Sequence, residues 1–311
     1  MHKLSYPDIF IFVLMNLRSI VSGLILLIFI GILFMGFTFW ALIHYMVYRA
    51  FYFKHIKEKH RPDPKIFPFH EIMIETEAQK KVQLYDLNPD SDSSVVILAI
   101  HGWANTSEIF LPMAEHLSTM SHIFLLNARN HGKSDEERLM NILKFKADLQ
   151  SAVNYVESII SGNKKLIVIG HSLGAAASIL TAAEDQRVHG VVSISSFADL
   201  QQIMFQGFLQ SKVPAWLINI VLKYIELRIG RSLDEISPIN SISRFNRPVL
   251  LIHGNRDELV PFHDLDRIRQ AAKRENVDTY IAEGHSHSSL LKDIKVAEAV
   301  RNFLNKYFIK S

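Results

Sequence analysis

The segment KLIVIGHSLGAAA, Lys165–Ala177, predicts a strand, a sharp turn and a helix. Three β-branched residues, 167–169, favour the strand, and small residues after Gly174 favour the helix. Between them lies a G-x-S-x-G spacing, in which flanking glycines allow close backbone packing around a strained central residue. We therefore expect the Ser172 hydroxyl to project from the strand end. An ordinary glycine-rich strand–helix connection is the alternative.

The composition fits one α/β domain with a large core and an additional N-terminal segment. The chain has 311 residues, of which 49% are hydrophobic. It contains no cysteine, which excludes disulfides, thiolate nucleophiles and cysteine-based zinc sites. The net charge is +3 and the basic residues are dispersed, so no nucleic-acid partner is expected.

Residues 20–42 predict a transmembrane helix. This stretch carries no charge and is long enough to cross the ~30 Å hydrocarbon core of a bilayer. Trp40, Tyr45, Tyr48 and Tyr52 follow like an interfacial belt, which favours a span over a buried core helix. A cleavable signal peptide is disfavoured, because the apolar region is too long and no small cleavage-site residues follow it.

Basic residues on the two sides of the span predict its orientation. Those that follow it are Arg49, Lys54, Lys57, Lys59 and Arg61, whereas Lys3 and Arg18 precede it. The positive-inside rule then predicts a single-pass protein with its large domain in the cytoplasm. The basic cluster would suit anionic headgroups, or it is simply a solvated linker.

The chain is expected to divide into an anchor with its linker, residues 1–64, and an α/β domain, residues 65–311. The apolar stretch Ile9–Leu17 is too short for a second helical crossing. His60–Pro68 contains three prolines, which disfavour helix and predict a stiff, extended spacer.

Strands and helices alternate through most of the second part. The predicted strands are Glu71–Thr76 and Val82–Leu87, which form an opening hairpin, and then Val95–Ile100, His122–Leu126, Lys165–Ile169, Val188–Ile194, Pro248–Ile252 and Asp278–Ala282. Helices are expected at about 107–118, 140–160, 173–184, 263–274 and 289–307. This alternation predicts a mostly parallel sheet with helices on both faces.

Regular alternation stops at residues 198–246, where apolar residues recur at helical spacing. Two or three amphipathic helices are expected here. They would form a cap over the sheet edge, add extra core helices, or contact lipid. Trp216 beside Lys212 and Lys223 is compatible with the lipid-contact interpretation.

Polar residues after the strands supply the other groups that a serine nucleophile needs. These are a base, a carboxylate that orients the base, and donors for the developing oxyanion. Ser172, Asp257 and His285 follow predicted strands in a chain order that belongs to one of the folds hosting this triad. A metal site at His253, His285 and His287 lacks a recognised ligand spacing, so neither metal nor cofactor is expected.

From about Phe69 to Ile309 the chain resembles the α/β-hydrolase superfamily. The resemblance lies in HGW at 101–103, NARNHGKSD at 127–135, GHSLG at 170–174, SPINSISRFNRPVLLIHGNRDELVP at 237–261 and GH at 284–285. It implies the α/β-hydrolase fold, with Ser172 as nucleophile, His285 as general base and acid, and Asp257 as the orienting carboxylate. The chain departs from the family's more usual aspartate at Asn127.

The same resemblance implies an oxyanion hole formed by the backbone N–H groups of Trp103 and Leu173. It also implies structural roles for His101 and His171. Two alternatives stay open. His287 lies two residues after His285 on the same expected loop, and Asp199 lies where some relatives carry the acid.

The implied function is a membrane-anchored serine hydrolase that cleaves carboxylic esters, of apolar acyl groups or lipids, through an acyl-enzyme. Its partners would be the ester substrate and the bilayer. Amide or peptide cleavage, thioester hydrolysis and acyl transfer use the same groups, because the fold does not specify the substrate. A non-catalytic membrane scaffold is the alternative from another class, and the intact Ser172, Asp257 and His285 set argues against it.

Overall fold

A computed structural model of the chain describes residues 6–160, 162–272 and 275–309. These residues form two compact units, of which the first ends at Ala50 and the second begins at Phe51. Lys3, one of the two basic residues before the expected span, lies outside the described residues, as does Arg274 at the end of one expected helix.

The N-terminal segment is a single long helix, α1 (Tyr6–Phe51), of 46 residues. The stretch Phe10–Phe51 is long and apolar enough to cross a membrane. Side chains along it are exposed, for example Leu27 at 68% and Phe34 at 67%. The expected span, residues 20–42, lies inside this helix, which continues through residues 10–17 without a break. The helix is a candidate membrane anchor.

The second unit is built on an eight-stranded sheet. Its strands are β1 (Phe69–Glu75), β2 (Lys81–Leu87), β3 (Val95–Ile100), β4 (His122–Asn127), β5 (Lys165–His171), β6 (Val188–Ile194), β7 (Val249–Gly254) and β8 (Val277–Ala282), in the order β1-β2-β4-β3-β5-β6-β7-β8. Strand β2 pairs antiparallel with β1 and β4, and the remaining pairs are parallel. The expected opening hairpin and mostly parallel sheet are confirmed.

Helices follow the strands in sequence. They are α2 (Leu111–Leu117), α3 (Ile142–Ile159), α4 (Leu173–Glu184), α5 (Leu200–Gln210), α6 (Ala215–Ile229), α7 (Pro238–Ser241), α8 (Asp264–Ala272) and α9 (Ile294–Tyr307). Alternate residues of β3 point to opposite faces, because side chains on a strand alternate. Leu98 joins a core cluster with α3, α4 and α8, whereas Ile97 joins a second cluster with α2 and α9. The expected helices on both faces are therefore present.

The insert between β6 and β7 is helical, as expected. It contains α5, α6 and α7, and it leaves the sheet where β6 ends. Helix α6 buries Ile218, Val221 and Ile225, yet Trp216 at its start remains 61% exposed. The insert thus combines a packed face with an exposed apolar face.

Residues 52–61, which we name the strap, differ from the expected solvated linker. The Ile56 N–H donates to the Asn130 carbonyl and the Gly132 N–H donates to the Ile56 carbonyl, both at 2.8 Å. Beyond the strap, Phe67 is also buried. The strap itself contains no proline, since the three prolines of the expected spacer are residues 62, 64 and 68. The second unit accordingly begins at Phe51, not near Lys65.

Candidate active site

Ser172 occupies a strained turn between β5 and α4. Its backbone has φ of 55° and ψ of −118°, a conformation that costs about 1–3 kcal/mol for a residue with a side chain. A Cβ on Gly170 would lie 2.3 Å from the Gly174 carbonyl oxygen, and one on Gly174 would lie 2.3 Å from the His101 carbonyl oxygen. Only glycine fits at both positions. The turn is held by the Ser172 N–H, which donates to the Ile194 carbonyl at 2.8 Å.

Asp257 lies on the turn after β7, and its side chain is fully buried. Its Oδ1 accepts hydrogen bonds from the N–H groups of Leu259 and Val260, both at 2.9 Å. Its Oδ2 lies 2.7 Å from His287 Nδ1 and 3.2 Å from His253 Nε2. Burial by itself would raise the pKa of this carboxyl group, but hydrogen bonds from the two histidines and from Val260 hold the pKa well below its usual range.

His287, which the sequence left open as the alternative to His285, contacts Asp257, whereas His285 does not. His285 Nε2 lies 3.0 Å from Asp293 Oδ2, and its Nδ1 lies 3.2 Å from Ser289 Oγ. There it lines a surface cleft of about 400 Å³ together with Tyr280 and Lys292.

The backbone of the loop explains why His287, and not His285, contacts Asp257. The His285 carbonyl accepts a hydrogen bond from the Arg256 N–H at 3.0 Å. It also faces Gly254, where an added Cβ would lie 2.3 Å from that oxygen. With its carbonyl directed at the end of β7, His285 turns its ring toward Asp293 and the start of α9. Two residues later the loop brings His287 to the carboxylate.

His171 joins the His287 loop to the turn that carries Ser172. Its Nε2 lies 2.8 Å from the His287 carbonyl oxygen, and the two rings are 4.8 Å apart between centroids. Burial, together with the nearby His287, lowers the pKa of His171 to about 4. A neutral ring at that position can donate one hydrogen bond to the carbonyl. Since Ser172 follows His171 directly, the Asp257–His287 pair lies beside the serine turn.

The alternative acid, Asp199, has a different contact. Its Oδ1 accepts a hydrogen bond from the Gln202 N–H at 3.0 Å and caps α5. Its Oδ2 lies 3.7 Å from Arg267 Nη2. The structure therefore pairs Asp199 with a cation and a helix start, and it pairs Asp257 with the histidines.

The two backbone N–H groups expected to bind an oxyanion belong to the residue after Ser172 and to a loop that approaches Ser172 at Gly102. Leu173 is the first residue of α4, where N–H groups have no partner within a helix and the helix dipole favours negative charge. Trp103 lies after Gly102, and a Cβ on Gly102 would lie 2.8 Å from Ser172 Cβ. Within residues 6–160, 162–272 and 275–309, neither N–H donates to a backbone carbonyl.

His101 supports the turn after β3. Its Nδ1 lies 2.8 Å from the Gly102 carbonyl oxygen, and its Nε2 accepts from the Ala128 N–H at 3.1 Å. The ring is fully buried, and this burial, with His131 nearby, lowers its pKa well below the ordinary value. These contacts suit a neutral structural histidine.

The sequence suggests His253 only as a candidate metal ligand and does not predict its contact with Asp257. The two residues are four positions apart in HGNRD. Outside a helix, this spacing alone does not predict a contact between their side chains. Among the described residues, no group of three histidine or carboxylate side chains is arranged to hold a metal ion.

Comparisons with known proteins agree with this fold. The family model described as "alpha/beta hydrolase fold" matches residues 95–234. The Pyrococcus furiosus esterase Pf2001 superposes with a TM-score of 0.66 at 22% sequence identity, over 82% of this chain and 98% of that one.

Three relatives are similar in sequence. "Uncharacterized protein YqkD" of Bacillus subtilis is 24% identical over 66% of this chain and 68% of its own length. "Protein bem46" of Schizosaccharomyces pombe is 28% identical over 64% of this chain and 65% of its own length. "Uncharacterized membrane protein YNL320W" of Saccharomyces cerevisiae is 21% identical over 78% of this chain and 82% of its own length. The chain thus spans about two-thirds of the first two relatives.

The sheet order, the turn at Ser172, the family match and the superposed esterase agree, and they confirm the resemblance predicted from the sequence. The chain is an α/β-hydrolase-fold protein with a candidate membrane anchor at its N-terminus.

Proposed function

We propose that this protein is a serine hydrolase in which Ser172 is the nucleophile, His287 the general base and acid, and Asp257 the carboxylate that orients His287. The observation that carries the proposal is the 2.7 Å contact between His287 Nδ1 and Asp257 Oδ2 beside the strained turn at Ser172. When Nδ1 donates its proton to Asp257, Nε2 of His287 is left to accept a proton from the serine hydroxyl.

The reaction then proceeds in two steps. Ser172 Oγ attacks the ester carbonyl carbon while His287 Nε2 takes the hydroxyl proton. The N–H groups of Trp103 and Leu173 bind the oxyanion, and each such donor is worth roughly 2.7–4 kcal/mol in the transition state. Loss of the alcohol, which takes the proton from His287, leaves an acyl-enzyme. Water, deprotonated by the same histidine, attacks the acyl carbon and releases the acid and the free serine.

The proposed substrates are carboxylic esters with apolar acyl groups. Two features support this choice, namely the candidate membrane anchor and the exposed apolar face of the insert, where Leu209 is 51% and Trp216 is 61% exposed. The similarity in fold to an esterase agrees with it. A panel of short- and long-chain nitrophenyl esters beside aminoacyl arylamides separates esterase from peptidase or amidase activity. Preferential cleavage of the arylamides would contradict the ester assignment.

The proposed location is a membrane, with α1 as a single-pass anchor and the second unit on the cytoplasmic side. Arg49, Lys54 and Lys57, which follow the apolar stretch, support this orientation. Because the chain has no cysteine, one cysteine introduced at Asp90 would report its side. Labelling of intact cells by a membrane-impermeant maleimide would contradict the cytoplasmic placement.

A fluorophosphonate probe tests the central claim. We expect the folded full-length protein in detergent to be labelled at Ser172, and Ser172→Ala to remain unlabelled. Loss of labelling after heat unfolding of the wild type is the control for a reaction that needs the assembled site. A folded wild-type protein without labelling would contradict the proposal and favour the scaffold alternative.

A further inference from the structure

The strap contacts the loop that carries one proposed oxyanion donor. The ring of Phe53 packs edge-on against the ring of Trp103, with 4.7 Å between centroids. The ring of Trp103 also lies 6.3 Å from the ring of Phe145, which is buried in the core. Phe53 stacks on His131 as well, at 5.0 Å. Trp103 is partly buried and contacts both the strap and the domain core.

A second set of contacts holds the far end of the same loop. The N–H groups of Lys59 and His60 both donate to Glu108 Oε2, at 2.8 and 2.7 Å. The Ser107 hydroxyl donates to Glu58 Oε1 at 3.2 Å. The loop that runs from Trp103 to Glu108 is thus held at both ends by the ten residues that directly follow the candidate anchor.

Glu58 is part of a polar network that joins the strap to the sheet. Its Oε2 accepts from the Tyr85 hydroxyl at 2.6 Å, and its Oε1 accepts from Asn127 Nδ2 at 2.6 Å. The Ser107 N–H donates to Asn127 Oδ1 at 2.7 Å, which fixes the amide so that its NH₂ faces Glu58. An aspartate at 127 would remove this donor and place two carboxylates together. Asn127, where the family more usually has aspartate, can therefore donate a hydrogen bond to Glu58, which an aspartate could not do.

We propose that Phe53 and Glu58 are positioning residues of the active site, which hold the Trp103 N–H where the oxyanion forms. This inference rests on the proposed function. A displacement of about 1 Å in a catalytic group costs up to about 100-fold in rate, so the loop requires such support. Through Phe53 and Glu58, the strap supports the loop that carries the Trp103 N–H.

The experiment measures kcat and KM for a nitrophenyl ester with full-length protein, normalised to the amount of Ser172 that a fluorophosphonate labels. We expect Phe53→Ala to lower kcat about 10- to 100-fold, with KM changed by less than about twofold. Phe53→Leu should recover part of the loss. Lys57→Ala, on an exposed strap residue, is the matched control and should equal the wild type.

A pair of substitutions tests the Glu58 network in the same assay. Asn127→Asp should lower kcat per labelled site, because the introduced carboxylate and Glu58 then repel each other. Adding Glu58→Gln should restore part of the loss, since the new amide can donate a hydrogen bond to the carboxylate introduced at position 127. Recovery by a second substitution distinguishes positioning from a general loss of folding.

The two proposals fail differently. Equal kcat per labelled site in the wild type, Phe53→Ala and Asn127→Asp would overturn the role of the strap and leave the serine mechanism intact. Absence of Ser172 labelling in the wild type would overturn the mechanism and, with it, this inference. A lower kcat in Lys57→Ala equal to that of Phe53→Ala would also contradict a specific role for Phe53.

Discussion

At the scale of single residues, the Asp257 carboxylate organises the candidate site. It accepts hydrogen bonds from two backbone N–H groups and lies within 3.2 Å of His253 and His287. A buried carboxylate with this many donors stays ionised and cannot rotate, so it fixes the ring of His287. His253 is the remaining donor beside this carboxylate. None of the hydrogen bonds described for it reaches the serine turn.

The two neighbouring histidines give a direct test. His287→Ala should lower kcat/KM by at least about 10³-fold, because it removes the general base. His285→Ala should change it less than about threefold, since that ring contacts Asp293 and Ser289 instead. Initial rates on a nitrophenyl ester measure both. The reverse order of effects would show that the loop rearranges and that His285 is the base.

Buried histidines predict how stability depends on pH. Burial is the main cause that lowers the pKa of both His131 and His171 to about 4, whereas an unfolded histidine titrates near 6.5. Between these values the unfolded chain binds more protons, so the free energy of unfolding should fall as the pH drops from about 6.5 to 4. Each histidine contributes up to about 1.4 kcal/mol per pH unit.

Two carboxyl groups oppose this trend, because burial raises the pKa of Asp148 to about 6 and also raises that of Glu157. Burial lowers the pKa of His101 and His189 too, so four histidines act against these two groups. Urea unfolding of the full-length protein at about pH 5 and about pH 7.5 measures the difference. His131→Gln should flatten the dependence. Equal stability at both pH values in the wild type would contradict the prediction.

At the scale of elements, the close packing of β5, α4 and the turn after β3 creates the strained turn at Ser172. The helix and the two strand ends approach so closely that a methyl group at residue 170 or 174 would overlap backbone atoms. A shift of the backbone here would cost much free energy, since β5 is hydrogen-bonded to strands on both sides. The strain at Ser172 is therefore maintained by its neighbours.

Two glycine substitutions should show opposite effects. Alanine is the better helix former by about 0.5–1 kcal/mol, so Gly207→Ala in α5, where no atom lies within 4 Å of the added Cβ, should raise the thermal midpoint. Gly174→Ala in α4 should lower stability by about 1–3 kcal/mol, because overlap outweighs propensity. Thermal unfolding measures both. A stabilising Gly174→Ala would contradict the packing argument.

At the scale of the whole molecule, the chain carries two apolar surfaces suited to a bilayer. One is the helix α1, and the other is the exposed face of the insert, including Leu209, Trp216 and Ile220. Residues 200–225 contain two lysines and no acidic residue, a composition that suits anionic headgroups. An exposed tryptophan at such a surface is typical of membrane interfaces.

Lipid contact by the insert can be measured on the full-length protein in anionic nanodiscs. The chain has no cysteine, so Leu209→Cys can carry a single environment-sensitive fluorophore. We expect blue-shifted emission that spin-labelled lipids quench. Asp90→Cys, on the loop before β3 at the opposite strand ends, is the control and should report water. Equal emission from both sites would contradict lipid contact by the insert.

The strands, the helices and their alternation follow from local sequence. Strands such as Val95–Ile100 and the Ser172 turn are specified by consecutive residues, because β-branched runs and flanking glycines restrict the local backbone. The apolar N-terminal helix is likewise a local property of composition. Asp257 as the buried acid could also be named from its neighbourhood, since it follows a strand in a characteristic segment.

Which side chains meet at the site depends on tertiary packing. His285 and His287 are separated by one residue, and the contact between the His285 carbonyl and the end of β7 directs His287 to Asp257. Likewise, nothing near Glu58 in the sequence indicates Asn127, 69 positions away. Such pairs depend on where distant segments cross. Local propensity restricts the backbone of each segment, but it does not specify the register between segments that closes the site.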